Sequence, residues 1–278
     1  IIPSGVASND QAGNIGRLSI SGDTVVMGSD LHDSGGLSDS GAAWVFKRSG
    51  TTWSEIKKLS ASDAVADDRF GISVGVSGNT ILVGAAYNDV DGVTHAGALY
   101  VYDPQLIKNY YINEVGKYSV DVTIAGLKYK TNEVEVTGSI TPYTNYKSTV
   151  QKIIPTNDGT VSNNDKYAFP GISGNGLVMV IVGPYDDDTT ANSGGFMVYE
   201  KVDGVWTFTQ QITGVGTGSN TFGYSEEGKA VQLDYTGTRV FIGDWHSSHT
   251  VNQGGSVYIY RRVARGNWTL EQRIDSQA

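Results

Sequence analysis

The chain has 278 residues, of which 39% are hydrophobic and 18% charged, so it is long enough to bury a large core. Its net charge of -9 argues against a nucleic-acid surface, which needs a basic patch, and its lack of cysteine excludes disulfides and thiolate metal sites. No apolar run could span a bilayer. The 36 glycines, 6 prolines and 16 tyrosines favour short strands joined by tight turns, and we expect an all-β protein.

An internal repeat organises the chain. An apolar run ending in glycine recurs at Gly28, Gly84, Gly183 and Gly243. A hairpin-turn signal such as Ser77-Gly78-Asn79 precedes each run, and a second apolar strand follows each one: GAAWVF, GALYVY, GGFMVY and GSVYIY. A last strand begins near Trp53, Trp206 and Trp268, and near Lys147 in the second unit. Each unit therefore predicts one blade of a β-propeller, a four-stranded antiparallel sheet that hides its faces by stacking on other blades.

The spacing of the repeat predicts an insertion in the second blade. Gly28 and Gly84 are 56 positions apart, whereas Gly84 and Gly183 are 99 apart. The extra residues fall between the third and fourth strands, and alternating apolar residues within them predict a β-hairpin. We therefore divide the chain into blades 1 and 2 with an N-terminal strand stub (1–103), an inserted β appendage with immunoglobulin-like strands (104–146), and the end of blade 2 with blades 3 and 4 (147–278).

The repeat resembles the FG-GAP family of β-propellers. Phe70-Gly71 and Phe222-Gly223 carry the Phe-Gly pair, Ile15-Gly16 is a weaker copy, and Phe169-Pro170-Gly171 is a strained one. The resemblance implies an extracellular or surface protein, distantly like the head of integrin α subunits, in a family that usually closes its ring with seven blades. Four blade units are visible here, so either the ring closes at four or these blades are part of a larger propeller.

The loops after the second strands are rich in acidic residues, which raises the question of calcium. Members of the family that bind calcium hold it between the first two strands, where this chain has only short turns. Its acidic residues follow the second strand instead, as Asn88, Asp89, Asp91 and as Asp186, Asp187, Asp188. Calcium prefers closely spaced oxygen ligands, but Asp and Asn also suit turns. We expect solvated loops, with calcium as the alternative.

The same loops carry aromatic residues, Tyr87, Tyr185 and Trp245. Aromatic faces beside carboxylates can stack on sugar rings, as in a lectin, or pack between adjacent blades. We expect packing and keep glycan binding as the alternative. Asn267-Trp268-Thr269 is a glycosylation sequon, which makes Asn267 a candidate glycan acceptor.

The sequence gives little support to catalysis. No nucleophile elbow, P-loop or HExxH motif occurs. Of the histidines His32, His95, His246 and His249, only the last two are close in sequence, and they have no third ligand beside them. We expect a non-catalytic extracellular or surface protein with a structural or adhesive role, which contacts a protein partner or copies of itself through residues 104–146. The alternatives are a glycan-binding propeller module and, behind it, a glycoside hydrolase.

Overall fold

The computed structural model describes residues 1–14, 17–104, 116–118, 121–124, 127–130, 134–136, 148–155, 161–187, 193–213, 222–225, 228–245 and 254–276. Four antiparallel sheets of four strands each form the blades, which confirms the predicted all-β, blade-based propeller architecture. Blade 1 consists of β1 (Leu18–Ser21), β2 (Thr24–Ser29), β3 (Ala42–Ser49) and β4 (Thr52–Leu59). Blade 2 consists of β5 (Phe70–Ser77), β6 (Thr80–Ala85), β7 (Ala98–Pro104) and, after the insert, β12 (Ser148–Ile153).

The second half of the chain repeats this arrangement. Blade 3 consists of β13 (Phe169–Ile172), β14 (Val178–Gly183), β15 (Gly195–Val202) and β16 (Val205–Thr213). Blade 4 consists of β19 (Val231–Leu233), β20 (Arg239–Asp244), β21 (Ser256–Ala264) and β22 (Asn267–Asp275), and a short pair, β17 (Tyr224–Ser225) and β18 (Gly228–Lys229), precedes it. Within the described ranges, no helix is long and apolar enough to cross a membrane.

Residues 104–148 form a separate compact unit. Its strands are β8 (Gly116–Tyr118), β9 (Asp121–Ile124), β10 (Leu127–Lys130) and β11 (Val134–Val136). β9 pairs with β10 and β8 pairs with β11, both antiparallel, so the hairpin that the alternating residues predict is present as two nested pairs. At the other end of the chain, Ile1–Pro3 lie outside the strands.

Tight turns join the first two strands of a blade. In blades 1 and 2 the paired residues Ser21 and Thr24, and Ser77 and Thr80, enclose two-residue loops that begin at Gly22 and Gly78. Both glycines have a positive φ, of 55° and 57°, which other residues adopt only at a cost. The Ser-Gly signals in the sequence therefore mark these hairpins correctly.

Three apolar clusters join successive blades face to face. One lies between blades 1 and 2, the next between blades 2 and 3, and the last between blades 3 and 4. We name the two sides of a blade by this order: the forward face contacts the following blade, and the rear face contacts the preceding one. In blade 3, for example, Val180 and Val198 lie on the forward face, and Met179 and Tyr199 on the rear face. Alternation along each strand thus places apolar residues on both sides of a blade.

The strand register corrects the predicted equivalence of the four glycines. Gly28, Gly84 and Gly243 hold the same place in their blades. Each pairs with the residue two positions after the glycine that directly precedes the third strand. In blade 3 that place belongs to Val182, which pairs with Phe196, so Gly183 lies one residue too far along. A Cβ on Gly28 would lie 2.0 Å from Gly71 O of the next blade. Blade 3 can hold a valine here because the residue that faces it is itself a glycine. A Cβ on Gly223 would lie 2.5 Å from Val182 Cγ1.

The Phe-Gly motif also needs a correction in blade 3. The backbone of Phe70 crosses Gly41 of blade 1, and the backbone of Tyr167 crosses Gly97 of blade 2 in the same way. Tyr167-Ala168 is therefore the copy of the motif in place of the predicted Phe169-Pro170-Gly171, because a Cβ on Gly84 would meet Ala168 O just as one on Gly28 would meet Gly71 O. Ile15-Gly16 lies outside the described residues.

Candidate functional site at the strand-connecting loops

The loop between the second and third strands of a blade attaches that blade to the next one. Arg69 N donates to Asp39 O at 3.1 Å and Phe70 N donates to Ser40 O at 3.0 Å. The equivalent bonds between blades 2 and 3 join Lys166 N to His95 O at 3.1 Å and Tyr167 N to Ala96 O at 2.9 Å. These loops, in which the sequence suggested calcium or sugar sites, therefore hold neighbouring blades together through their backbones.

Two buried side chains come together where each loop lies near the turn before its blade, and we call each pair the loop lock. Asp10 contacts His32 in blade 1 and Asp68 bonds to Asn88 in blade 2, whereas in blade 3 Asp165 lies near Asp186, whose charge acts on it. The first member caps the turn before its blade: Oδ2 of Asp10, Asp68 and Asp165 accepts the N–H of Ala7, Val65 and Ser162 at 2.8, 2.8 and 2.6 Å. All six side chains are buried, so their polar atoms need partners inside the protein.

The blade 1 lock joins an acid to a histidine. His32 Nδ1 lies 2.7 Å from Asp10 Oδ2, and Lys58 Nζ lies 2.6 Å from His32 Nε2. Burial acts to raise the pKa of Asp10, but the Ala7 N–H, His32 and the charge of Lys58 together hold it below its usual value. This lock is therefore built around an ionised carboxylate.

The blade 3 lock joins two acids and a tyrosine. Tyr167 OH donates to Asp186, and Gln211 Nε2 lies 3.5 Å from Asp186 Oδ2. Burial raises the pKa of Asp165 to about 7, and the nearby charges of Asp186 and Asp187 act in the same direction. In blade 2, burial likewise raises the pKa of Asp68, although the Val65 N–H and the Asn88 side chain oppose it. Within the blade 3 lock, Asp165 therefore takes up a proton at a higher pH than an exposed aspartate does.

Cations and tyrosines alternate along the loops of blades 2 and 3. Arg69 lies 4.9 Å from the ring of Tyr87, and Lys166 Nζ lies 4.4 Å from the same ring and 4.6 Å from that of Tyr185. His95 packs edge-on against Tyr87 at 5.0 Å between ring centroids. We call Arg69, Tyr87, Lys166 and Tyr185 the cation–aromatic strip. Because each strip cation belongs to the turn before a blade, these contacts also tie neighbouring loops together.

The structure brings two of the three predicted aromatic residues together. Tyr87 and Tyr185 hold the same place in their loops and share Lys166. Trp245 comes one position earlier, directly after β20, and 42% of it is exposed. His246 and His249 lie outside the described residues. Asn267 is exposed at the first position of β22, and the Trp268 beside it is buried.

The proposed calcium ligands mostly bond to the protein itself. Asp89 Oδ1 accepts His95 N–H at 2.8 Å, Asp187 Oδ1 accepts Ser162 Oγ at 2.8 Å, and Asn88 and Asp186 belong to the loop locks. Asp91 is exposed with a φ of 51°. Asp188 lies outside the described residues, and among those described no three His, Asp or Glu side chains form a group that could hold a metal ion. Calcium binding stays a prediction.

Sequence reasoning missed the loop locks, although a signal for them exists. The segments Asn9–Gly13, Asp67–Gly71 and Asn164–Ala168 share the order Asx-Asp-polar-x-small. In each of them the first and third residues have positive φ, between 55° and 75°. The repeated aspartate is the lock residue, and its partner stands three positions after the end residue of the second strand. The pairing could not be predicted because the partner changes from His to Asn to Asp.

Stacked antiparallel blades joined by such loops define a protein of the β-propeller class. The chain carries an FG-GAP repeat: residues 53–102 match that family, which confirms the resemblance seen in the sequence. No curated protein matches the chain significantly.

Two solved structures align with most of the chain at low similarity. A "putative 6-phosphogluconolactonase" from Bacteroides uniformis ATCC 8492 shares 12% identity over 92% of this chain and 69% of that one, with a TM-score of 0.41. A protein of the same description from Bacteroides fragilis NCTC 9343 shares 11% identity over 91% and 68%, with a TM-score of 0.40.

Proposed function

We propose that this chain is a non-catalytic propeller with a structural or adhesive role on a cell or particle surface, and that the unit formed by residues 104–148 joins it to neighbouring copies. The observation that carries this proposal is the position of the unit. It interrupts blade 2 between two adjacent strands, β7 and β12, yet it forms its own compact body with its own strand pairs. Two-stranded sheets offer backbone edges to which a strand of another chain can add.

The loop locks support a structural rather than a catalytic role for the loops. A carboxyl with a pKa near 7, like that of Asp165, is what a general acid needs. However, Asp165 and Asp186 have no exposed surface, so a substrate could not reach them. Their bonds, to Ser162, Tyr167 and Gln211, stay within blade 3 and the turn before it, and the backbone of that turn bonds to the loop of blade 2. The contact of Lys166 with Tyr87 joins the same two blades.

Deletion of residues 104–146 tests the proposal. Because β7 and β12 are neighbours in one sheet, a two-residue Asn-Gly turn can replace the unit without disturbing the other blades. We expect the shortened protein to keep its circular dichroism spectrum and cooperative unfolding, but to lose the larger assemblies that the full chain forms in sedimentation. If the shortened protein assembled to the same size as the full chain, the role of the unit would be wrong.

Glycan binding remains the alternative, and the exposure of Trp245 is the observation in its favour. Tyr87 and Tyr185 are less suitable, because Lys166 lies over both rings. On a glycan array, specific binding that Trp245→Ala abolishes and Tyr87→Ala preserves would support a lectin-like site in blade 4. An array without specific binding would contradict the glycan alternative, and only the structural role would then stand.

A further inference from the structure

The blade 1 lock continues into an amine, so that three side chains form one hydrogen-bonded row. Asp10 Oδ2 lies 2.7 Å from His32 Nδ1, and His32 Nε2 lies 2.6 Å from Lys58 Nζ. Because Asp10 is ionised, Nδ1 carries the hydrogen that it donates to Oδ2, and the lone pair of Nε2 accepts from the Lys58 ammonium. A nucleophile in contact with a base that a third group orients is the arrangement by which proteins activate nucleophiles.

The equivalent lysine of blade 2 is held in a different way. Lys152 and Lys58 stand at the same place in the outer-strand motif, and each lies over an aromatic ring of the third strand, at 5.5 and 5.3 Å. Lys152 Nζ donates to the Asp63 carboxylate at 2.6 Å, which stabilises the ammonium form. Among the described residues, the Lys58 amine contacts only His32 and the ring below it, so its direct partner is a group that can take its proton.

Lys58 is open to a reagent, whereas its base is not. Lys58 is exposed on β4, but only 9% of the His32 side chain and 7% of the Asp10 side chain are exposed. The equivalent Lys152 keeps 22% of its side chain exposed although blade 1 stands before it. The amine position therefore reaches solvent even where another blade covers the same side, and an electrophile meets the amine rather than the imidazole.

We propose that Lys58 is a site of covalent acylation, with His32 as its general base and Asp10 as the residue that orients the imidazole and stabilises its protonated form. The substrate class is an activated acyl group such as a thioester. Because the product amide is stable, each chain reacts once and no turnover follows. The inference goes beyond the proposed structural role, since it gives the propeller a point of covalent attachment.

The reaction balances with a thioester as the acyl donor. His32 Nε2 takes one proton from the Lys58 ammonium, and the freed lone pair attacks the carbonyl carbon. The carbon–sulfur bond then breaks, the imidazolium gives its proton to the departing thiolate, and the nitrogen releases a second proton to water. The products are an amide on Lys58, a free thiol and one proton, and nothing is oxidised or reduced.

Acylation suits this site better than imine formation with an aldehyde. The amide nitrogen keeps one N–H, which can still donate to His32 Nε2, whereas a neutral imine nitrogen carries no hydrogen. A buried imidazole that loses its partner is unfavourable, so the amide preserves the lock and the imine does not. The change removes the charge over the Trp44 ring, which is a small loss.

Competition among the lysines of the folded full chain tests the proposal. The protein is treated near neutral pH with a small amount of phenyl thioacetate, and acetylation at each lysine is followed by mass spectrometry, with fragmentation to separate neighbouring positions. We expect Lys58 to react about 10- to 100-fold faster than the exposed Lys57 and the equivalent Lys152, because only Lys58 has a general base in contact. Equal rates at Lys58 and Lys57 would overturn the proposal without any variant.

His32→Asn is the matched variant. Asparagine can still bond Asp10, as the blade 2 lock shows, but it offers no base to the amine. We expect acetylation of Lys58 to fall about 10- to 100-fold, to the rate of Lys57, while the rates at Lys57 and Lys152 stay unchanged. A variant that acetylates Lys58 as fast as the wild type would show that His32 is not its base. A change of equal size at all three lysines would also count against the proposal, because it indicates an altered fold.

Discussion

Blades 1 and 3 hold the same loop with opposite chemistry. Blade 1 pairs Asp10 with His32 and places Lys58 behind the imidazole, so its carboxylate stays charged. In blade 3, burial and the charge of Asp186 raise the pKa of Asp165, so Asp165 favours a proton, and Tyr167 donates to Asp186. In both blades the capped turn and the backbone bonds from the loop glycine have the same geometry. The fold thus fixes the position of the lock, whereas the residues at that position decide whether its carboxyl group is charged.

The largest expected effect comes from removing the aromatic ring of the blade 3 lock. Tyr167 is fully buried between blades 2 and 3, whereas blade 1 has Ala12 at the equivalent place. Tyr167→Ala should lower the free energy of unfolding by about 3–5 kcal/mol through a cavity and a lost hydrogen bond. Tyr167→Phe keeps the ring and should cost about 1–3 kcal/mol. Urea unfolding measures both free energies. Equal losses in the two variants would mean that the hydrogen bond accounts for the whole effect and the ring for none of it.

The two locks should respond to pH in opposite directions. The pKa of Asp165 is raised, so its contribution is complete below the unfolded value near 4 and is lost as pH rises through about 7. The pKa of Asp10 is lowered, so its contribution exists at neutral pH and is lost on acidification. The free energy of unfolding of the wild-type protein should therefore fall by on the order of 2 kcal/mol between pH 5 and pH 8, and Asp165→Asn should abolish this fall. Melting temperatures at the two pH values test this, and an unchanged difference would count against a protonated lock.

A smaller effect is expected when the blade 1 lock is given the partner found in blade 2. His32→Asn should cost less than about 1 kcal/mol, because Asn88 already hydrogen-bonds Asp68 at the equivalent place. His32→Ala leaves the buried Asp10 short of a partner and should cost about 1–3 kcal/mol. Chemical unfolding at pH 7 compares the two. If alanine were as well tolerated as asparagine, the histidine would contribute nothing to the lock.

The smallest effect should come from the charges that lie over aromatic rings. Lys166 contacts two tyrosines in blade 3, and Lys58 contacts Trp44 in blade 1 at 5.3 Å. Lys166→Met keeps the apolar stem and removes the charge, and should cost about 0.5–1 kcal/mol. Lys58→Met is the matched variant, and it should cost more than one such contact alone because it also removes the neighbour of His32. A stabilised Lys166→Met protein would mean that the strip is not a favourable contact.

The sequence located the repeated strands, the two-residue hairpins and the insert, because each of these depends on neighbours within a few residues. It failed where a residue's role depends on the next blade. Gly183 looked equivalent to Gly84, yet only the crossing of Gly223 shows why Val182 fits in blade 3. Similarly, the sequence predicted that Asp186 lies in a solvated loop. Only the stacked blades show that it is buried and bonded to Tyr167.

Periodicity and turn chemistry by themselves determined that this protein is built of four-stranded β blades and that one of them is interrupted. Both signals act along the backbone, so they survive without knowledge of distant contacts. Only the tertiary structure decided which loop side chains meet and which of their carboxyl groups favours a proton. Those properties arise from packing between residues far apart in the chain, where burial sets the energy of every charge and every apolar side chain.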